Sequence, residues 1–214
     1  MICVSLAEPS FRKCLNALRG LPMAEIRLDI TPLKPEEIAA LFACPLPLVA
    51  TFRPGKRSDN DRRAALHAAI AAGAAFVDIE ADARPAYRME LIRTAREHGC
   101  RVILSSHSDR LPPGAGELAR TRERFFRLGA DVVKVVHCVR SAADCVRLLS
   151  LYETPRRNKV IALGTGREGV VTRVAAPLLG APFTYASLRP GRETAEGQLD
   201  WRTLAKILDL IPHG

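Results

Sequence analysis

The chain has 214 residues, of which 48% are hydrophobic, and this length suits one α/β barrel with a large apolar core. Its six cysteines form no C-x-x-C pair and no zinc-like spacing with histidine, which argues against a disulfide framework or a structural zinc site. No apolar run approaches the length of a membrane span, and the N-terminal segment lacks the features of a signal peptide. We therefore expect a cytoplasmic protein that forms one domain over residues 1–214, with no membrane partner.

The net charge of +9 has two interpretations. Excess arginine could bind nucleic acid or an anionic small molecule. However, the arginines are spread along predicted helices, without interleaved aromatic residues and without an RNA-binding motif. This distribution favours a solvated basic surface, and we expect no nucleic-acid partner.

One unit recurs along the chain: a short β-branched run, a turn, and an amphipathic stretch that ends at glycine. Helix starts are predicted at Ser10, Pro35, Asn60/Asp61, Ser141 and Asp200, and helix ends at Gly20, Gly73, Gly99, Gly129 and Gly180. Eight strands are predicted, spaced by about the length of one βα unit. They are Ile2–Leu6, Glu25–Ile30, Leu48–Phe52, Phe76–Glu80, Arg101–Ser106, Val132–Val136, Lys159–Leu163 and Phe183–Ser187.

This strict alternation of strand and helix predicts a parallel sheet with right-handed crossovers. Eight units close a barrel, so the predicted fold class is α/β, a single (β/α)8 TIM barrel with parallel strands. An open doubly wound sheet is the alternative, but it usually has fewer units and a glycine-rich loop after the first strand. Here that loop reads Leu6-Ala7-Glu8-Pro9-Ser10, without glycine.

Lys134 is the strongest catalytic candidate, because a barrel places its active site at the C-terminal ends of its strands. The residue lies inside the β-branched run Val132–Val136. An unpaired buried ammonium is costly, so burial favours the neutral amine, which is the form that attacks a ketone. The alternative is a structural lysine that reaches the strand end or pairs with Glu80.

His107 ends the predicted fifth strand, next to the strand that carries Lys134. This placement predicts that the two side chains share a pocket. An imidazole, with an unperturbed pKa of about 6.5, can shuttle protons at neutral pH. The alternative is a structural histidine at a strand end.

Arg27, Arg53 and Arg173 are candidate anion clamps, since a guanidinium group binds a carboxylate through two hydrogen bonds. Glu25 is available to pair with an arginine or to accept substrate hydroxyls, and Thr194 and Gln198 follow the last strand. The glycine-containing segment 164–169 could bind phosphate at a helix N-terminus, but it lacks the P-loop lysine. Together these residues predict a small acidic substrate, and we expect neither a metal nor a cofactor.

Seven motifs in this order resemble type I 3-dehydroquinate dehydratases of the shikimate pathway, over nearly the whole chain. They are Glu25-Ile26-Arg27-Leu28-Asp29, Thr51-Phe52-Arg53, Val77-Asp78-Ile79-Glu80, Ser105-Ser106-His107, the Lys134 strand, Leu163-Gly164 through Thr172-Arg173, and Thr194-Ala195-Glu196-Gly197-Gln198.

The resemblance implies that Lys134 forms an imine with the ketone of 3-dehydroquinate. His107 then removes the proton next to the imine carbon and helps expel the adjacent hydroxyl as water, and hydrolysis frees 3-dehydroshikimate. The resemblance further implies that Arg173 binds the substrate carboxylate with help from Thr194 and Gln198, and that Glu25 and Arg53 contact ring hydroxyls. It also suggests a homodimer.

The chain departs from the family pattern near the histidine. The family usually has a glutamate shortly after the T-x-R arginine, which helps to orient the histidine. Here the stretch reads Arg53-Pro54-Gly55-Lys56-Arg57-Ser58-Asp59, with a basic residue where the glutamate is expected. Asp59 and Asp61 are candidate substitutes. Ser108 stands where the family has an aspartate, and Glu196 stands where it has a proline.

Two other functions stay open on the same residues. A class I Schiff-base aldolase shares the fold and the lysine but usually needs a phosphate site. A barrel with weakened catalysis could instead bind an anion through its positive surface.

Overall fold

The computed structural model describes residues 1–55 and 57–211, in which eight parallel strands form a nearly closed barrel. Strands and helices alternate along the whole described chain, and two 3-10 turns, Ser150–Tyr152 and Arg157–Lys159, precede the seventh strand. The elements are β1 (Ile2–Leu6), α1 (Phe11–Leu18), β2 (Ala24–Arg27), α2 (Pro35–Phe42), β3 (Leu48–Thr51), α3 (Asp59–Ala71), β4 (Phe76–Glu80), α4 (Pro85–Glu97), β5 (Arg101–Ser108), α5 (Ala115–Arg127), β6 (Val132–Cys138), α6 (Ala142–Leu149), β7 (Val160–Thr165), α7 (Val170–Leu178), β8 (Thr184–Ser187) and α8 (Trp201–Asp209). The predicted (β/α)8 TIM barrel is confirmed.

The hydrogen-bonded ladder runs in the order β7-β6-β5-β4-β3-β2-β1-β8, and every described pair of strands is parallel. Within the described residues, no ladder joins β7 to β8, so the ring has one seam. The C-terminal ends of all eight strands meet at one end of the ring, where side chains from distant parts of the chain can converge.

The predicted element boundaries are correct to within a few residues, with three informative differences. The second strand ends at Arg27 instead of Ile30, because the Thr31 amide donates to the Arg27 carbonyl at 2.9 Å and the chain turns. The fifth strand continues to Ser108, so His107 lies within β5. Helix α3 begins one residue before the predicted start, because the Ser58 hydroxyl accepts a hydrogen bond from the Asp61 amide at 3.1 Å.

The core consists of apolar side chains on both faces of the strands. The first five residues of β6 are all buried, since the barrel interior covers one face and the helices cover the other. Aromatic rings help to fill the interior, with Phe183 packed edge-on against Phe76 at 5.4 Å and against Tyr185 at 5.6 Å between ring centroids. Burial of each such large side chain contributes about 1.5–3 kcal/mol to stability. This packing holds the strand ends in fixed positions.

The longest helices, α3, α4 and α5, have 13 residues each. Among the helices in the described ranges, none combines the length and the apolar character needed to cross a membrane.

Candidate active site

One cavity at the C-terminal end of the barrel brings together all the residues that the sequence predicts for the site. Its volume is about 230 Å³. The predicted residues that line it are Glu25, Arg27, Arg53, His107, Lys134, Arg173, Thr194 and Gln198. They come from six different βα units, and only the barrel topology makes them neighbours.

Lys134 points into the barrel, as the alternation along its strand predicts, and the residue is only 5% exposed. Its Nζ lies 3.0 Å from Asp78 Oδ2 and 3.7 Å from Glu25 Oε1. Lys134 is therefore paired with two carboxylates, and the alternative pairing with Glu80 is wrong. Glu80 instead lies 3.5 Å from Arg53 Nη1, nearer the end of β4.

Asp78 is the central acceptor of this site, and the sequence analysis did not include it among the site residues. Its carboxylate accepts two hydrogen bonds from Arg53, at 3.0 and 2.8 Å, one from the Ser105 hydroxyl at 2.5 Å and one from Lys134 at 3.0 Å. Burial alone would raise the pKa of Asp78, but the charges of Arg53 and Lys134 outweigh burial and hold it well below its usual value. Asp78 is therefore a fixed negative charge beside the amine.

Glu25 is a second buried carboxylate beside the amine, and its oxygens are already held by hydroxyl groups. The Ser5 hydroxyl donates to Oε2 at 2.6 Å, and the Thr51 hydroxyl donates to Oε1 at 2.8 Å. These bonds fix the carboxylate against the wall of the cavity, on the side of β1, β2 and β3. Glu25 can still accept a further hydrogen bond through its remaining lone pairs.

Tyr185 lies against the amine, and the sequence analysis did not predict it as a site residue. Lys134 Nζ lies 4.0 Å from the centroid of its ring, a distance at which a cation is attracted to the π face. Burial raises the pKa of Tyr185 and the pKa of Cys3 well above their usual values, so the phenol and the thiol both stay protonated. Neither the Tyr185 phenol nor the Cys3 thiol therefore competes with Lys134 as a nucleophile.

The His107 ring is accessible from the open end of the barrel and lines the same cavity as Lys134. The protein atoms packed around it, and then the positive charges of Arg53 and Lys134, lower its pKa below the usual value, against a smaller opposing effect of Asp78. The imidazole is therefore neutral at neutral pH. A neutral imidazole is a base that can accept a proton from a bound molecule.

Two of the three predicted anion clamps are already paired with carboxylates of the protein. Arg27 donates to both oxygens of Asp29, at 2.9 and 2.7 Å, and Arg53 donates to both oxygens of Asp78. Neither guanidinium group therefore has a free two-point face for a substrate carboxylate. Both still line the cavity, where their remaining N–H groups can reach hydroxyls.

Arg173 differs from them, because no carboxylate in the described ranges lies within 4.0 Å of its guanidinium. The residue is 2% exposed, and its Nη2 donates only to the carbonyl oxygens of Gly164 and Glu196, at 3.4 and 3.3 Å. Its Nε is buried and has no hydrogen-bond partner among the described residues. Burial lowers its pKa to about 10, so the group remains a cation at neutral pH. A buried cation with spare donors that lines a cavity is suited to bind an anion.

The glycines that precede Arg173 explain its position. A Cβ atom on Gly164 would come within 2.9 Å of the Gly169 Cα, so the end of β7 and the start of α7 approach too closely for any other residue. The Thr172 hydroxyl accepts from the Gly164 amide at 2.8 Å and donates to the Gly169 carbonyl at 2.6 Å. This close contact places Arg173, one residue further on, in the cavity wall. In this structure the segment positions a guanidinium group.

Thr194 and Gln198 lie in the loop between β8 and α8, at the rim of the cavity. The Gln198 side-chain oxygen accepts from the Thr194 amide at 2.8 Å and from its hydroxyl at 3.3 Å. The backbone of this loop approaches the β7–α7 loop at Gly197 and Gly166, where a Cβ on Gly197 would clash. The two loops therefore form one rim beside Arg173.

The residues that depart from the family pattern have other contacts or lie outside the described residues. Lys56 is not among the described residues. Asp59 pairs with Arg84 at 2.8 Å, and Asp61 caps the start of α3 through Ser58. Neither aspartate lines the cavity. The suggestion that one of them replaces the missing glutamate is therefore wrong. In the described ranges, no cluster of three His, Cys, Asp or Glu side chains is arranged to hold a metal ion.

Comparison with known proteins agrees with this geometry. Residues 2–214 match the family model described as type I 3-dehydroquinase. A 3-dehydroquinate dehydratase of Dehalococcoides mccartyi is 30% identical over 215 residues, covering 98% of this chain and 93% of that protein. One from Methanosarcina barkeri is 32% identical over 211 residues, covering 91% and 87%. The crystal structure of the type I enzyme from Clostridium difficile superposes with a TM-score of 0.84 at 20% identity, covering 98% and 90%. The chain belongs to the type I 3-dehydroquinase family.

Proposed function

We propose that this chain is a 3-dehydroquinate dehydratase that converts 3-dehydroquinate to 3-dehydroshikimate through an imine on Lys134. The observation that carries the proposal is the convergence of three groups on one cavity: a buried amine, a neutral imidazole and a buried arginine without an internal carboxylate. A keto acid needs these three groups for imine formation, proton removal and carboxylate binding. The names of the curated relatives support the same substrate.

Substrate binding in this proposal begins with Arg173. Its spare donors bind the substrate carboxylate, and Thr194 and Gln198 close the rim beside it. Glu25, Arg27 and Arg53 face the ring hydroxyls with donors and acceptors that their internal partners hold in place. These contacts place the ketone carbon against Lys134 Nζ.

The chemistry then uses Lys134 and His107. The neutral His107 imidazole first accepts a proton from the Lys134 ammonium, and the free amine then attacks the ketone carbon. His107 returns this proton to the hydroxyl that leaves as water, which gives a protonated imine whose positive charge faces Asp78 and Glu25. His107 takes the proton from the adjacent carbon, and the electron pair moves into the imine. His107 then returns the proton to the leaving hydroxyl, which departs as water. Hydrolysis of the imine frees Lys134 and the product.

The test is intact-protein mass measurement after borohydride reduction in the presence of 3-dehydroquinate. We expect the wild-type chain to gain the mass of a reduced adduct and the Lys134→Ala variant to gain none. A folded Lys134→Ala variant that retains full dehydratase activity contradicts the proposal. A sugar phosphate in place of 3-dehydroquinate serves as the control for aldolase chemistry, and we expect no adduct with it.

Family membership favours the dehydratase over the two other functions considered from the sequence. An aldolase would use the segment 164–169 to bind phosphate. In this chain the same segment packs closely and positions Arg173. A barrel that had lost catalysis would not need a buried amine between two carboxylates. We also propose that residues 1–214 form one catalytic domain.

A further inference from the structure

A second cavity, of about 440 Å³, lies on the other side of the β8–α8 loop from the active site. We call it the basic cleft. Its walls are α1, the first part of the β8–α8 loop and the start of α8. The residues that line it are Glu8, Lys13, Asn16, Ala17, Arg19, Leu21, Leu188, Arg189, Arg192, Trp201 and Arg202. None of them lines the active-site cavity.

The charge of the basic cleft is strongly unbalanced. Five cationic side chains line it, Lys13, Arg19, Arg189, Arg192 and Arg202, against the single carboxylate of Glu8. Like charges that converge in a concave surface repel each other and create a positive potential, which attracts anions. A doubly charged anion offsets this potential better than a singly charged one.

The cationic side chains line the cleft from two parts of the chain, α1 with the residue after it and the β8–α8 loop with the start of α8. Lys13, Asn16 and Ala17 have the spacing that places them on one face of α1. In the β8–α8 loop, the Arg192 amide donates to the Arg189 carbonyl at 3.1 Å, and this turn directs both arginines to the cleft. Guanidinium groups presented in this way can grip a phosphate group through paired hydrogen bonds.

Glu8 is the second observation that points to a ligand. The residue is only 5% exposed, yet its closest cationic neighbour in the described ranges is Arg192 Nε, 4.0 Å from Glu8 Oε1. This distance is too long for a hydrogen bond, and no described side chain or amide donates to the carboxylate at a shorter one. The Glu8 side chain is 7% exposed and lines the cleft, so the donors to its carboxylate come from molecules in the cleft. A ligand hydroxyl is a donor that fits this position.

We propose that the basic cleft binds a phosphate monoester of a small hydroxylated molecule. The arginines bind the doubly charged phosphate, and Glu8 accepts a hydrogen bond from a hydroxyl of the same molecule. The side chains of Leu188 and Trp201 cover its carbon skeleton. A nucleic acid is disfavoured because Trp201 is the single aromatic residue among those that line the cleft, so successive bases have no series of rings on which to stack.

The experiment is a titration of the full chain with glycerol 3-phosphate, inorganic phosphate and glycerol, followed by calorimetry and by the fluorescence of Trp201, the only tryptophan. A hydrogen bond to a charged group contributes about 1.5–3 kcal/mol, so the ester should bind roughly 10-fold to 100-fold more tightly than inorganic phosphate. Glycerol alone should not bind. The same titration on Arg173→Met excludes the active-site guanidinium as the binding group.

Three variants give the decisive comparison. Arg189→Ala/Arg192→Ala should weaken binding of both anions by roughly 10-fold or more, since it removes two of the charge-assisted contacts. Glu8→Met should abolish the preference for the ester over inorganic phosphate. The matched control, Arg12→Ala/Arg120→Ala, removes the same charge from exposed positions outside the cleft and should leave both affinities unchanged.

Three outcomes overturn the proposal. If the control variant weakens binding as much as Arg189→Ala/Arg192→Ala, the cleft acts only through overall charge. If Glu8→Met keeps the preference for the ester, the carboxylate does not contact the ligand. If a short single-stranded RNA competes through the same arginines and binds more tightly than the ester, the cleft is a nucleic-acid surface.

Discussion

Replacing Arg173 by methionine should separate substrate binding from stability. The guanidinium is 2% exposed and donates only to two carbonyl oxygens, at 3.3 and 3.4 Å, so the protein gains little from it. Methionine has a similar length and no charge to desolvate. Replacing buried charged groups by apolar side chains of similar volume is often neutral or stabilising, by about 1–4 kcal/mol. The free energy of unfolding should therefore stay the same or rise.

The effect on catalysis should have the opposite sign. Loss of a buried, hydrogen-bonded partner of the substrate carboxylate costs about 2–5 kcal/mol, which corresponds to a decrease in kcat/KM of roughly 30-fold to 5,000-fold. Most of this decrease should be an increase in KM, because the carboxylate is bound equally in the ground state and the transition state. The assay is steady-state formation of 3-dehydroshikimate, followed by its ultraviolet absorbance, with urea unfolding of the same samples.

Arg122→Met is the matched control. Arg122 is also buried and donates to the Leu151 carbonyl at 3.0 Å, but it lies outside the active-site cavity. This variant should leave KM unchanged and lower the stability by about 1–3 kcal/mol, because it removes the 3.0 Å hydrogen bond to Leu151 and a further one of 3.1 Å to the Glu123 carboxylate. Both are shorter than the bonds of 3.3 and 3.4 Å that Arg173 makes. A kcat/KM for Arg173→Met within threefold of the wild type would refute the assignment of Arg173 as the carboxylate site.

Three further predictions follow from the surroundings of the amine. Asp78→Asn leaves Arg53 and Lys134 buried without the carboxylate that they share, so the free energy of unfolding should fall by about 3–5 kcal/mol. Adding Lys134→Met should recover part of this loss. Equal stabilities of the single and double variants would contradict this pairing. In the pH profile of kcat/KM, the fall on the acid side should occur below pH 6.5, because the lowered pKa of His107 keeps the imidazole neutral at mildly acidic pH. A fall with its midpoint at or above pH 6.5 would contradict a neutral base. Tyr185→Phe keeps the ring beside the amine and should keep kcat within a few-fold of the wild type. Tyr185→Leu removes the attraction between the ring and the positive charge on the Lys134 nitrogen, about 0.5–2 kcal/mol, and should slow imine trapping by roughly 2-fold to 30-fold. Equal trapping rates in the Phe and Leu variants would exclude a role for the ring.

Strand-helix alternation was enough to predict the fold, because a parallel strand that is buried on both faces has a continuous apolar pattern. The same pattern identified Lys134 as a functional candidate, since a charged residue within such an apolar run is costly unless it has a function. His107 and the arginines followed from their positions at strand ends. All eight predicted site residues line one cavity.

The partners of these residues could not be predicted in the same way. Pairing between strands depends on the stagger of the barrel, which leaves no local signal in the sequence. Lys134 therefore pairs with Asp78 and Glu25 and not with Glu80. Asp78 could have been found by the argument that identified Lys134, because it is also a charged residue on an inward-facing strand position. The pairing of Arg27 with Asp29 could not, since it depends on the turn that ends β2.

The seam between β7 and β8 has a consequence for how the barrel opens. Within the described residues, each of these strands has one edge without a neighbouring strand, so local fluctuations there break fewer backbone hydrogen bonds than elsewhere in the ring. Backbone amides along this seam should exchange with deuterated solvent earlier than those of β4 or β5. Arg173 lies on the helix that spans the seam, so the most easily opened part of the ring is also the part that holds the acid end of the substrate.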